Sequence, residues 1–433
     1  MTKGYRHVND YLEGLLSGRT REELRERLSP SHGPAAPKIP SGSTIDAESV
    51  DGRWAVLNAP AEVRGAIADP VTVKFMERFQ RNIENFIGTA KVPLGVIGPL
   101  RVNGLFAKGD YYVPLATTEA ALVASYNRGA GLITAVGGCT AMILSEGVSR
   151  APGFAFRTAA DAGEFVIWAL SSVDTFRELA ESTTSYGKFV DVRVTFEGNH
   201  VYLNIEMTTG DASGQNMVTF AANAICEYIQ QNSPVRPEYS FVEANLSGDK
   251  KASFQSFSTV RGKKVTAEVV IPDELVQSVL HTTPERMVDL WRMSALGGVL
   301  SGCIGVQGHY ANGLAALFIA TGQDAASVAE AAVGVTRLER IESGDLYATV
   351  TLPNLIVGTV GGGTSLPTQR ACLEIMGLAG PGNARAFAEV CAALSLAGEL
   401  SIIGALCAGQ FAGAHERLAR GKTQHGHKTD ADG

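Results

Sequence analysis

Apolar residues recur at helical spacing along most of this chain, and one central block breaks that rhythm. Near the start, "TREELRERL" has Thr20 followed three residues later by Glu23, a capping-box pattern that predicts a short amphipathic helix. "SPSHGPAAPKIPSGS", Ser29 to Ser43, reads as a linker. "DPVTVKFMERFQRNIENFI" offers Asp69 as cap, Pro70 at the first helical position and apolar residues at helical spacing, which predicts a helix over 70–87. After Pro152 the texture changes. "GKFVDVRVTFEGNHVYLNIEM" alternates apolar and polar residues on both sides of a Glu-Gly-Asn turn, a β-hairpin signal, and "KKVTAEVVIP" reads as a further strand. Helical spacing returns from Pro272, most clearly in "PDELVQSVLHTTPERMVDLWRM" and "GNARAFAEVCAALSLAGELSIIGALCAGQF", with a β-type stretch at "DLYATVTLPNLIVGTVGGGTS" between them.

These elements predict an α+β protein in which a small α+β block interrupts a mostly helical one. The expected boundaries are an N-terminal segment and linker (1–60), a large domain (61–151 and 242–422), an inserted small domain (152–241) and a disordered tail (423–433). Met293 to Gln323 contains no Asp, Glu, Lys or Arg, but its glycines together with Gln307, His309 and Asn312 argue for a buried helix pair over a membrane span.

Composition adds a few exclusions. With 37 Lys and Arg against 44 Asp and Glu, a formal charge of -7, nucleic acid is a poor partner. Six single cysteines in apolar surroundings and an N-terminus without a signal-peptide core point to buried reduced thiols and a cytoplasmic protein. H-E-x-x-H, Cys/His metal spacing and G-x-S-x-G are absent, so no metal site is expected.

Candidate chemistry is scattered, and every residue has a bland reading beside the functional one. Glu119 in "ATTEAALVAS" is either a carboxylate stabilised at a helix start or a buried proton donor. Lys250 and Lys251 in "LSGDKKAS" are either solvated charge or, for one of them, a fixed cation for a developing oxyanion. Ser247 to Lys250 also spells S-x-x-K, the signature of an acyl hydrolase. Asp324 can be a helix cap, and His415 a structural histidine or an acid. "TGDASGQNM", Thr209 to Met217, is a glycine turn before an apolar helix, yet it is not a G-x-G-x-x-G fingerprint.

In order along the chain, "ENFIGTAKVPLGVIGPL", "ATTEAALVAS", "TGDASGQNM", "SGDKK", "HYANGLAALFIATGQDAA", "VGTVGGGTSLPTQRACLEIMG" and "AGELSIIGALCAGQF" resemble the 3-hydroxy-3-methylglutaryl-CoA reductase family, class I branch, from about Glu84 to Lys422. The resemblance implies a large substrate-binding domain interrupted by a ferredoxin-like cofactor domain, and NADPH-dependent reduction of a CoA thioester to mevalonate. NADH is the alternative cofactor, and another acyl-CoA or carrier-bound thioester the alternative substrate. It implies Glu119, Lys250, Asp324 and His415 as catalytic residues, and Asn127, Arg128, Arg150, Lys251 and Asn312 at the substrate. Asp211, Ala212, Ser213, Gly214, Gln215, Asn216 and Met217 would form the cofactor loop, with Ser185 where an arginine often stands and Lys188 or Arg420 in compensation. It also implies a homodimer or tetramer with sites between subunits. The departures from the family pattern are Ser213, Gln215, Ala120, Glu243 and Gly421.

Overall fold

The computed structural model describes residues 10, 13, 14, 16, 19–30, 33–259 and 261–409. The chain divides into two compact units, one ending at Thr89 and one beginning at Ala90.

In the first unit the capping box forms as expected, with Glu23 N donating to Thr20 Oγ1 and Thr20 N to Glu23 Oε2 ahead of the helix Arg21–Leu28. Residues 33–43 carry no helix or strand. Ile45, Val50, Trp54 and Phe86 make a small core, and Arg53 is buried beside it because its guanidinium donates to the carbonyls of Pro40, Gly42 and Phe86. The helix expected over 70–87 is cut short. Asp69 caps it and Pro70 opens it, but it ends at Lys74, followed by one 3-10 turn at Met76–Phe79. Val71, Val73, Phe75 and Ile83 remain exposed while Met76, Phe79, Phe86 and Ile87 pack in or against the small core, so the stretch buries no single helical face along its length.

The second unit is mixed helix and sheet. Its strands are β1 (Leu94–Gly104), β2 (Lys108–Ala116), β3 (Cys139–Arg150), β4 (Gly153–Ala155), β5 (Lys188–Glu197), β6 (His200–Thr208), β7 (Tyr239–Phe241), β8 (Gly262–Ile271), β9 (Val335–Arg340) and β10 (Leu346–Leu355). They pair in the order β7-β4-β6-β3-β8-β10-β9, with β1–β2 against β3 and β5 against β6. The β5–β6 hairpin turns where the sequence predicts it, Glu197 pairing with His200 around Gly198 in the left-handed region. β3 is the shared strand: Thr140 to Gly147 pair with β8, while Val148 to Arg150 pair with β6.

Two cores flank β3. One gathers residues of β1, β2, β8 and β10 around the helix Ala384–Cys407. That helix is long and apolar enough to cross a membrane, yet 83% of its most apolar window is buried in the fold. The other core joins β5 and β6 to the helices Ala159–Ser171, Val173–Ser182 and Gln215–Asn232.

Two expectations change. The run Met293–Gln323 is buried only in its second half. The helix Tyr310–Thr321 is core, but Met293, Leu296, Val299 and Leu300, near the end of the helix Pro284–Ser301, are exposed along one side. An uncharged run satisfies a protein surface as readily as a core, so composition could not separate the two. The cysteines are free, but Cys303 is exposed and Cys407 half-buried.

Candidate active site

Lys250 lies in a turn between β7 and β8 that is held by buried charge. Arg261, 1% exposed, donates to Glu330 Oε2 at 2.7 Å, to Ser149 O at 2.5 Å and to Asp249. Arg150 donates to Asp249 Oδ2 at 2.9 Å and to Glu243 Oε2 at 3.2 Å. Glu243 accepts in turn from Ser247 Oγ at 2.9 Å and Asn245 N at 2.7 Å, so this departure from the family pattern is an internal brace of the turn. Glu330, fully buried, also accepts the Lys250 N–H at 3.2 Å. Lys250 thereby stands at φ 56, a conformation that costs a non-glycine residue about 1 kcal/mol or more and that the surrounding ion pairs impose.

Burial pushes the Glu330 carboxyl up to about 7, more than Arg261 and the Lys250 N–H pull it down. Asp249 is also raised by burial, but Arg261 and Arg150 outweigh that and hold it below the usual carboxylate range. The ammonium carried by this turn meets Asp324 Oδ2 at 2.9 Å. Asp324's other oxygen caps the 3-10 turn Ala325–Ser327 by accepting from Ala326 N at 3.0 Å. Asp324 thus caps this turn and pairs with the Lys250 ammonium at once. Ser247 is bonded to Glu243, and the Lys250 ammonium is paired with Asp324, so the S-x-x-K letters do not form a nucleophile–base pair.

Glu119 follows β2 in a turn, its N–H on Thr117 Oγ1 at 3.0 Å. Glu119 is exposed, which goes against the buried-donor reading, and its carboxylate accepts from Asn312 Nδ2 at 2.8 Å. The left-handed residue of this turn is Ala121 (φ 71), not Ala120. A cavity of about 410 Å³ opens here, lined by Glu119, Ser125, Arg128, His309, Asn312 and Leu406 among others. Arg128 is anchored on Ser401, through O at 2.8 Å, and Asn127 accepts from Gly98 N at 3.0 Å. Lys251 folds onto its own turn, donating to Asp249 O at 2.8 Å.

Glu119 and Lys250 belong to separate halves. Asn312, which grips Glu119, opens the helix Tyr310–Thr321, and Asp324, which grips Lys250, follows its end. The nine steps of helical rise from Asn312 to Thr321 span about 14 Å, and neither Lys250 nor Asp324 lines the cavity at Glu119.

The loop Thr209–Met217 lies on the Lys250 side. Gly214, at φ 77, opens the helix Gln215–Asn232, whose first turn has no side-chain cap. A Cβ at Gly214 would lie 2.2 Å from Thr209 Cγ2, so the turn requires glycine. Asp211, the loop's only carboxylate, is drawn away onto Gly382 N at 2.7 Å and Ala384 N at 3.1 Å. Free first-turn amides with the acidic group turned aside fit a phosphate-bearing cofactor. The Ala212 carbonyl accepts from Thr209 Oγ1, and a Cβ at Gly358 would come 2.6 Å from Ser213 N. Asn216 and Ser185 are exposed, and Met217 lies against Gly187. Lys188 is paired with Glu181 at 2.9 Å, and His415 and Arg420 lie outside the described residues.

Sequence reading missed the buried charges Arg261, Glu330 and Glu399. Glu399 accepts from Gly308 N and His309 N, both at 2.8 Å, and so fixes the segment that carries Asn312. The available signal was the same for both glutamates: a carboxylate inside an apolar run, in "SVAEAAV" and "LAGELSII".

A carboxylate steadied by an amide, an ammonium steadied by a carboxylate and an uncapped glycine-led helix define an enzyme of the carbonyl-reducing kind on a mixed helix-and-sheet fold. The chain belongs to the hydroxymethylglutaryl-coenzyme A reductase family, whose model it matches over residues 49–420. It is 45% identical over 354 residues to 3-hydroxy-3-methylglutaryl-coenzyme A reductase of Aeropyrum pernix, covering 80% of this chain and 84% of that one. With the enzyme of that name from Methanothermobacter thermautotrophicus the identity is 45% over 349 residues, covering 80% and 87%. Its fold is shared with the class II 3-hydroxy-3-methylglutaryl-CoA reductase from Streptococcus pneumoniae, solved bound to NADPH, at TM-score 0.61 and 20% identity, covering 83% of this chain and 96% of that one.

Proposed function

We propose that this chain reduces the thioester of 3-hydroxy-3-methylglutaryl-CoA to the alcohol of mevalonate, releasing CoA, in the cytoplasm. The thioester carbon gains four electrons as two hydrides, which NADPH supplies when bound. Two protons complete the balance. Lys250 holds the carbonyl oxygen as negative charge develops, and Asp324 fixes its ammonium so that no reorganisation is needed at the moment of reaction. Glu119 supplies the proton to that oxygen, oriented by Asn312. Between the two steps a hemithioacetal collapses to an aldehyde, and His415 protonates the departing thiolate. Residues 152–241 act as the cofactor domain of ferredoxin-like type, inserted into a substrate-binding domain, with the Thr209–Met217 loop at the phosphates. Arg128 and Arg150 lie on the substrate side.

One observation carries the assembly of this site: Asn312, which holds Glu119, and Asp324, which holds Lys250, are separated by about 14 Å of helical rise, and neither Lys250 nor Asp324 lines the cavity at Glu119. The working site therefore takes Glu119 from one subunit and Lys250 from a second copy, and the exposed face of Met293, Leu296, Val299 and Leu300 is apolar surface that such a copy covers.

The purified enzyme should consume two NADPH per thiol released. Glu119→Gln and Lys250→Met should each lose about 100-fold or more in kcat. Mixed under subunit exchange, the two inactive variants should recover roughly a quarter of wild-type activity, because half the dimers are hybrid and each hybrid holds one intact site. No recovery, with exchange verified by mass, would place both residues in a single-chain site and refute the assembly.

A further inference from the structure

We infer that Gln215 is a positioning residue that locks the start of the cofactor-side helix to the Lys250–Asp324 ion pair. The inference rests on the reading of that pair as the oxyanion-holding group. Gln215 is the first residue of the helix Gln215–Asn232, and its side-chain amide Nε2 donates to Ser327 Oγ at 2.8 Å. Ser327 is fully buried and closes the same 3-10 turn that Asp324 caps, its N–H donating to Asp324 O at 3.0 Å.

The backbone of Gln215 reaches the other member of the pair. Its carbonyl accepts from Arg150 Nη2 at 3.4 Å, and Arg150 grips Asp249, the residue before Lys250. Gln215 is thus linked to the aspartate through Ser327, by its side chain, and to the lysine's turn through Arg150 and Asp249, by its main chain. Thr219 Oγ1 also donates to that carbonyl at 2.8 Å, which fixes its direction. A ligand that orders the helix start therefore orders the ion pair with it.

A methionine side chain has nearly the length of glutamine but no donor, so Gln215→Met removes only the tie to Ser327. Ser327→Ala removes it from the other end. A charge held loosely loses part of its transition-state advantage, and misplacement of about 1 Å costs on the order of 100-fold. Loosening without displacement should cost about tenfold.

Each single variant should lower kcat about tenfold, for the CoA thioester and for the free aldehyde intermediate alike, since both hydride steps use Lys250. The double variant should lose no more than either single one. The melting temperature should stay at its wild-type value, and NADPH Kd from fluorescence titration should change by a smaller factor than kcat does. Wild-type kcat in either single variant, additive losses in the double, or weakened NADPH binding with kcat intact would overturn the proposal. Asp324→Asn separates the two readings. If it abolishes turnover while Gln215→Met is fully active, only the positioning role fails; if Asp324→Asn is itself active, the ion-pair reading fails and takes this role with it.

Discussion

Replacing Tyr126 by phenylalanine deletes one oxygen from the segment that presents Asn312 to Glu119. The ring is fully buried, stacks on His309 at 4.9 Å between centroids, and is flanked so closely that a Cβ at Gly313 or Gly398 would fall 2.5 or 2.4 Å from it. Phenylalanine keeps all of this packing. Only the hydroxyl's two hydrogen bonds are lost, both 2.9 Å: the one it donates to His309 O and the one it accepts from Gly313 N. His309 O retains the Asn312 N–H at 3.1 Å, so the group left without a partner is the Gly313 N–H. An orphaned buried donor costs about 1–3 kcal/mol, and taking about 2 gives roughly a 30-fold rise in local opening. Hydrogen–deuterium exchange of the peptide covering 309–318 should accelerate by that factor. In the same variant kcat should fall severalfold while NADPH Kd holds, because Asn312 is loosened and the Thr209–Met217 loop is not. Unchanged exchange over 309–318 would refute the assignment of the Tyr126 hydroxyl as the tie in this segment.

The buried charges give two further tests. Arg261→Met strands Glu330 and leaves Asp249 with Arg150 alone, and loss of one partner from a buried ion pair costs about 3–5 kcal/mol, readable as a lower urea midpoint; Arg261→Lys should not rescue it, since one ammonium cannot reach Glu330, Asp249 and Ser149 O together. A loss below about 1 kcal/mol would show that the network is not under tension. Glu330 also sets a pH dependence. Its carboxyl lies near 7 in the fold against 4.5 for the free group, so between those values the folded state holds a proton that the unfolded state has released. Stability should therefore fall as pH rises from about 4.5 to 7, by about 3 kcal/mol from this group, then level off; Glu330→Gln should flatten that slope, and an unaltered slope would assign it to other residues.

Much of this architecture could be read from the sequence wherever local rules and burial agreed. The capping box at Thr20, the hairpin around Gly198 and the strand Gly262–Ile271 all follow from local residue types. The helix expected over 70–87 has the cap the sequence predicts but stops at Lys74, because Val71, Val73, Phe75 and Ile83 stay exposed while Met76, Phe79, Phe86 and Ile87 reach the small core without one continuous helical face. The Lys250–Asp324 contact was legible only through family resemblance, since 74 residues separate the two and neither is unusual in its own neighbourhood. The Arg261–Glu330–Asp249 network was illegible for a related reason: pairing among buried charges is decided by where β3, β8 and the following helices converge, which no local pattern encodes.

The sharing of β3 has a consequence for modularity. Val148 packs in the second core while Cys139 and Ala141, on the same strand, pack in the first, so the strand's peptide groups are divided between two sheets. A transplant cut at the composition change near Pro152 would leave β6 without its partner residues 148–150 and give the grafted block a bare edge. The excisable piece is defined by hydrogen bonding and not by texture, and its upstream border falls at Gly147, where a Cβ would strike Glu206. A chimera that exchanges cofactor preference should carry β3 from that glycine onward with the donor's sheet.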